Sequence, residues 1–212
     1  MAYGDILQDL REGLAVSASY DGRLMRGISN AARSLLRMYN FREALRRSEA
    51  PIAASAPGFT LPADCGKIKA VRLRVTQDGT TLYKRLRRRE ESLLPYFNGP
   101  TYYSVESTTL LFDTAMPFDA VGYIREIWYQ SDDPAFAESW MSTRFSDVLE
   151  HKAGSEQALK MRKTEAFQIY SQLWQEDMAS LGRYMPEIEF SDSDLSMGDG
   201  QREVALERYP AY

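Results

Sequence analysis

The run Val71-Arg72-Leu73-Arg74-Val75-Thr76-Gln77-Asp78-Gly79-Thr80-Thr81-Leu82-Tyr83-Lys84 alternates apolar and polar residues on its first side. That period of two belongs to a half-buried strand. Asp78-Gly79 then separates it from a second β-prone run, Thr81–Lys84. An Asp-Gly pair between two such runs is the usual signal of a tight antiparallel hairpin, because glycine accepts the positive φ that the turn needs. The middle of the chain therefore carries sheet.

Helical periodicity governs the sequence on both sides. Residues 3–17 place Ile6, Leu7, Leu10 and Leu14 at i, i+3, i+4 spacing, with Asp5, Asp9, Arg11 and Glu12 opposite. After Ser19-Tyr-Asp-Gly22 a second helix is predicted from about Arg23 to Arg47. Its apolar stripe runs through Leu24, Ile28, Ala31, Ala32, Leu35, Leu36, Met38 and Tyr39, and Asn40-Phe41 is placed to kink it or end its first part. Residues 48–66, rich in alanine, serine and proline, read as an extended connection. Phe59 and Leu61 are placed to anchor it.

Downstream of the hairpin, Arg87–Leu94 reads as one or two helical turns ended by Pro95. Tyr102–Val105 and Thr108–Phe112 form a second predicted hairpin, and Val121–Tyr129 a last strand. Asp132-Asp133-Pro134 has the form of an N-cap followed by proline at the first helical position. A helix to about His151 follows, then a break at Gly154-Ser155, then a helix from Glu156 to about Tyr184 closed by Pro186. The expected class is α+β, mainly α. N- and C-terminal helices pack as a bundle around a central antiparallel β insertion, and an extended C-terminal tail follows. The expected domain is 3–184, with helices 3–47, loop and β insertion 59–129 and helices 134–184. Residues 186–212 form the tail.

Charge is distributed unevenly. Residues 1–100 hold 17 Lys/Arg against 10 Asp/Glu, whereas residues 101–212 hold 9 against 20. The net −4 of the whole chain hides this split. Opposite halves suit two different electrostatic faces, or a head-to-tail contact between copies. The acidic total argues against a chain devoted to nucleic acid. No apolar run reaches the roughly 18–20 residues that span a bilayer, and no secretory signal pattern opens the chain.

Catalytic parts are scarce. One cysteine, Cys65, and one histidine, His151, are separated by most of the central sequence. No phosphate-binding loop, dinucleotide fingerprint or nucleophile elbow occurs. Asp192, Asp194 and Asp199 lack the spacing and closing glutamate of a calcium loop. No catalytic residue, cofactor or metal is assigned. Two stretches remain as binding candidates. The first is the basic cluster Lys84-Arg85-Leu86-Arg87-Arg88-Arg89, in which Arg85, Arg87, Arg88 and Arg89 suit salt bridges to the adjacent Glu90 and Glu91 or to acids of a neighbouring subunit, in preference to nucleic-acid phosphates. The second is the tail, where seven acids meet two arginines and Val204, Leu206, Tyr209 and Tyr212 supply apolar anchors. Such anchors suit docking on a partner.

Several pieces, taken in order, resemble the head-to-tail adaptor (connector) proteins of tailed bacteriophages. They are Tyr3-Gly-Asp-Ile-Leu-Gln-Asp-Leu-Arg11, Ile28-Ser-Asn-Ala-Ala-Arg-Ser-Leu-Leu-Arg-Met-Tyr-Asn-Phe41, Leu61-Pro-Ala-Asp64, Gly99-Pro-Thr-Tyr-Tyr103, Leu110-Leu-Phe112, and Ile127-Trp-Tyr129 ahead of Asp132-Asp-Pro134. The resemblance spans residues 3 to about 184. It implies a non-enzymatic structural protein of the virion, made in the host cytoplasm and placed at the neck. Copies would form a homo-oligomeric ring, a dodecamer in the family, that binds the portal and mounts the tail tube, nozzle or fibre proteins. DNA would pass through without sequence-specific contact, with no membrane anchoring. A nucleic-acid-binding module built on the second helix and Lys84–Arg89 is the alternative reading.

Overall fold

A computed structural model describes residues 3–77, 80–88, 102–113, 116 and 122–188. The chain divides into two compact units. Among the described residues, one is built from residues 3–44 and 131–188, and the other from residues within Leu45–Gln130.

The first unit is helical. It contains α1 (Tyr3–Gly13), α2 (Asp21–Met38), α3 (Pro134–Arg144), α4 (Ser146–Lys160) and α5 (Thr164–Ile188). The stripes read from sequence supply its core. Ile6, Leu10 and Leu14 meet Leu24, Ile28, Leu35 and Leu36, and all are buried. Helix α2 ends at Met38, earlier than expected, because Tyr39 turns extended and Phe41 inserts into the core. The Phe41 ring lies 5.2 Å from that of Trp140 and 5.4 Å from that of Phe145.

The expected cap at Asp133 is present. Its side chain accepts a hydrogen bond from the Ala135 N–H at 3.0 Å, and Pro134 occupies the first turn. The interruptions fall elsewhere than Gly154-Ser155. One lies at Phe145, between α3 and α4, and the other at 161–163. Gly154 sits inside α4 because the Tyr170 ring of α5 packs flat against it. A Cβ there would lie 2.7–2.8 Å from three ring atoms. The same residue's hydroxyl fills the space where Gly13 of α1 lacks a side chain, 2.1 Å from an ideal Cβ position. Two glycines thus let three helices close on one tyrosine.

Helices α1 and α4 both end in Schellman turns on non-glycine residues. Ala15 has φ 45° and Arg162 has φ 58°. Val16 N–H bonds the Arg11 carbonyl, and Lys163 N–H bonds the Ala158 carbonyl. The Lys163 ammonium then donates to the Leu14 and Ala15 carbonyls at the end of α1. A cation there meets the negative end of the helix dipole. Helix α5 runs through Pro186 to Ile188. In the last turn proline forfeits one hydrogen bond rather than breaking a ladder.

The second unit corrects the expected fold class. It is not a small antiparallel insertion on a helical bundle. It is a seven-stranded sheet ordered β1-β7-β3-β4-β5-β6-β2. The strands are β1 (Leu45–Pro51), β2 (Gly58–Thr60), β3 (Cys65–Gln77), β4 (Thr80–Arg88), β5 (Tyr102–Glu106), β6 (Thr109–Phe112) and β7 (Ile124–Ser131). The β4–β5 pair is parallel, so the sheet is mixed. The unit has its own core of Ile52, Val71, Leu73, Leu86, Tyr103, Leu110, Phe112 and Met116. The class remains α+β, with sheet as a full partner.

Two strands come from sequence assigned otherwise. Leu45–Arg47 was expected to finish the second helix, and residues 48–66 to be a connection. Instead β1 lies antiparallel to β7 from Leu45↔Gln130 to Pro51↔Ile124. Short β2 closes on β6. The central hairpin stands as expected, with Gln77↔Thr80 as its last pair, and β5–β6 forms the second. The expected turns at 87–94 lie outside the described residues beyond Arg88, up to which β4 is strand. None of the described helices is long and apolar enough to cross a membrane.

Candidate interaction surface

The register of the central hairpin decides where the arginines go. Val71 pairs with Leu86, Arg72 with Arg85, Leu73 with Lys84 and Arg74 with Tyr83. Side chains alternate along each strand, and paired residues share a face. Val71, Leu73 and Leu86 therefore occupy the core side, where all three are buried. Arg72, Arg74, Arg85 and Arg87 share the opposite face.

Part of the charge on that face is compensated by carboxylates. Toward β1 and β7, Arg47 bridges Glu49 and Glu126, with Nε 3.0 Å from Glu126 Oε1. Arg74 reaches Glu49 at 3.1 Å. The Arg47 guanidinium also covers the Trp128 ring at 5.3 Å, and the Trp128 N–H donates to Glu126. Glu126 is 1 % exposed, and these donors satisfy one of its oxygens while the other has none. Two arginines and two glutamates balance here. Arg85, Arg87 and Arg88 are exposed, and among the described residues no carboxylate pairs with any of them. Their field reaches the buried Tyr103 hydroxyl. Burial raises its pKa, and Arg88 and Arg85 oppose that rise.

Strand β4 also borders β5. Strand β5 joins it at Arg87↔Tyr102 and Arg88↔Tyr103.

Arg46 has left the basic run for a structural role on β1. It holds Asp64 at 2.6 Å, and the Tyr129 hydroxyl donates to the other Asp64 oxygen at 3.0 Å. Burial and then Asp64 push the Tyr129 pKa up to about 12. Arg89 and the tail anchors Val204, Leu206, Tyr209 and Tyr212 lie outside the described residues. The sequence reading did not join Arg72 and Arg74 to the Arg85 cluster. The signal was available, since a two-residue Asp78-Gly79 loop makes Arg72 and Arg85 cross-strand partners.

The helical unit offers less. A cavity of 270 Å³ opens beside Phe145, Val148, Asp177, Ser180 and Leu181. His151 Nδ1 lies within hydrogen-bonding distance, 2.7 Å, of Asp177 Oδ2, joining α4 to α5. Cys65 belongs to the sheet unit. Among the described residues no group of three or more His, Cys, Asp or Glu could hold a metal.

No curated protein matches the chain. The family model described as SU10 adaptor protein matches residues 1–202, spanning the described parts of both units. A match of that extent shows that the chain belongs to the SU10 adaptor protein family.

Proposed function

We propose that copies of this chain close into a ring, a dodecamer as the family resemblance implies, between the portal and the tail. The family match over residues 1–202 carries this reading. The charge split supports it. A ring repeats one heterologous contact, so each copy needs two unlike, complementary faces. A half of net charge +7 and a half of net charge −11 meet that need. The ring lengthens the DNA channel and presents a mounting surface to tail tube, nozzle or fibre proteins. An acidic excess keeps passing phosphates from adhering, because their affinity comes from cationic neighbours.

The tail end, with Val204, Leu206, Tyr209 and Tyr212, docks on the portal. Several anchors offset an ordering cost of roughly 1–2 kcal/mol per residue. Analytical ultracentrifugation of the chain with purified portal protein tests the reading. Co-sedimentation of a ring with the portal is expected. Two species that stay separate at every salt concentration refute it.

A further inference from the structure

Helix α2 carries one kind of charge on its outward side. From Gly22 to Met38 it holds four arginines and no acid. The spacing of Arg23, Arg26, Arg33 and Arg37 puts them on one stripe, opposite the buried Leu24, Ile28 and Leu35. That stripe runs ~21 Å along the helix axis. Arg23, Arg26 and Arg37 are exposed, and Arg33 is half-buried. Arg37 holds Asp132, and the Arg23 guanidinium lies over the Tyr20 ring at 5.9 Å. Among the described residues no carboxylate pairs with Arg23, Arg26 or Arg33.

Another flank of the same unit carries the opposite charge. Helix α4 meets α2 through Gln157, which packs on Gly27. Different positions of α4 meet α5: Gly154 packs on Tyr170, and His151 reaches Asp177. On that flank Asp147 and Asp177 line the 270 Å³ cavity beside Phe145, Val148 and Leu181. Burial pushes the Glu150 carboxyl up, and although His151 draws it down, Asp9, Asp147 and Asp177 push it up again. Carboxylates from α1, α4 and α5 thus crowd one another. Among the described residues no lysine or arginine bridges Asp9, Asp147 or Glu150. Arg144, at the cavity rim, is held by Glu43.

Resting on the ring proposed above, we infer that the α2 arginine stripe of one copy docks on the carboxylates around this cavity in the next copy, with one guanidinium entering the cavity. Arginine suits both parts of the site. Its aliphatic stem lies along Phe145, Val148 and Leu181, and its planar head meets the oxygens of Asp147 and Asp177. The stripe and the carboxylates occupy different sides of α4, so one copy cannot close them on each other. A row of copies can, and the same contact repeated around an axis closes a ring. Duplex DNA fits the stripe alone, and it leaves the crowded carboxylates without a cation. A neighbouring copy answers both faces at once.

A charge-swap experiment on the full chain decides this. One variant carries Arg23→Glu with Arg26→Glu, another Asp9→Lys with Asp147→Lys, and a third all four changes. Sedimentation reads ring against monomer. Each two-site variant alone is expected to lose the ring at concentrations where the unaltered chain assembles. Mixing the two restores it, because alternating copies then present opposite charges at every contact, and the four-site variant assembles by itself. Rings from either two-site variant alone at unaltered yield overturn the inference and leave the ring standing. Recovery in the four-site variant but not in the mixture places the contact within one copy and overturns it. Loss with no recovery in either shows that these residues serve another contact, which also overturns it. Where a swap variant loses its helical circular dichroism, Arg23→Gln with Arg26→Gln or Asp9→Asn with Asp147→Asn replaces it, and unaltered assembly by that variant overturns the inference. An α2 variant that assembles normally but loses salt-sensitive affinity for duplex DNA assigns the stripe to phosphates instead. If the unaltered chain never assembles, the ring and this contact fail together.

Discussion

Replacing Gly154 with alanine should destabilise the helical unit, against the ordinary preference of helices. In an exposed helix interior alanine is favoured over glycine by about 1 kcal/mol. Here the new methyl group would meet Tyr170 Cγ, Cδ1 and Cε1 at 2.7–2.8 Å. Carbon atoms rest at about 3.5–4.0 Å, so the ring would have to withdraw by ~1 Å. The ring has no easy exit. Tyr170 is 7 % exposed, and its hydroxyl already occupies the place of a side chain at Gly13. Overpacking of a closed site costs about 1–3 kcal/mol. With both ends of the ring held, we expect the upper part of that range and a net loss of ~1–2 kcal/mol. Tyr170→Leu removes the obstacle, and in that background Gly154→Ala should stabilise by about 1 kcal/mol. The double-mutant cycle therefore carries a coupling of ~2–3 kcal/mol. Trp140 and Trp174 lie in the helical unit and Trp128 in the sheet. Urea unfolding followed by tryptophan fluorescence in a Trp128→Phe background thus reports on the helices. A stability gain from Gly154→Ala with Tyr170 in place would refute the packing argument.

Lys163→Met should lower helical-unit stability by about 0.5–1 kcal/mol, since it strips the cation from the α1 carbonyls. The loss should shrink as salt is added, and a thermal scan at two ionic strengths checks both points. Alkaline pH should weaken the helical unit through Tyr170. Burial, then Glu150 and Asp9, push its pKa up to about 12, above the ordinary value near 10. Between those values the unfolded chain loses the proton first, so stability is complete below pH ~10 and falls as pH rises toward 12. Tyr170→Phe should flatten that decline by about 2–3 kcal/mol in denaturant titrations, and an unchanged slope would exclude the assignment. Removing residues 201–212 should leave assembly intact and abolish portal co-sedimentation. Retained portal binding would place the docking elsewhere.

What the sequence made legible was whatever local chemistry enforces. The Asp78-Gly79 pair announced the central hairpin, and its register stands in the β3–β4 pairing. Asp133-Pro134 announced a cap that the Ala135 N–H confirms. Strand β1 was hidden because its justification is distant. Arg46 and Arg47 look like helix decoration until Asp64 and Glu126 arrive across the fold. Strand β2 has three residues, too few to show a period. Gly154 reads as a breaker in one dimension and as a packing site in three, because only Tyr170, sixteen positions on, explains the missing methyl. The arginine face lay in between. Each half of it was visible, yet joining the halves required counting pairs across the turn.

The sheet unit leaves the helical unit at Leu45 and returns at Gln130, and these two residues are direct partners in the β1–β7 ladder. Antiparallel partners hold their Cα atoms about 4.5–5.5 Å apart, little more than one peptide step. The whole module is therefore a cassette with abutting termini. Its loss, replacement or enlargement would leave the host framework a gap that a residue or two could bridge, so the helices and the sheet are free to diverge at different rates.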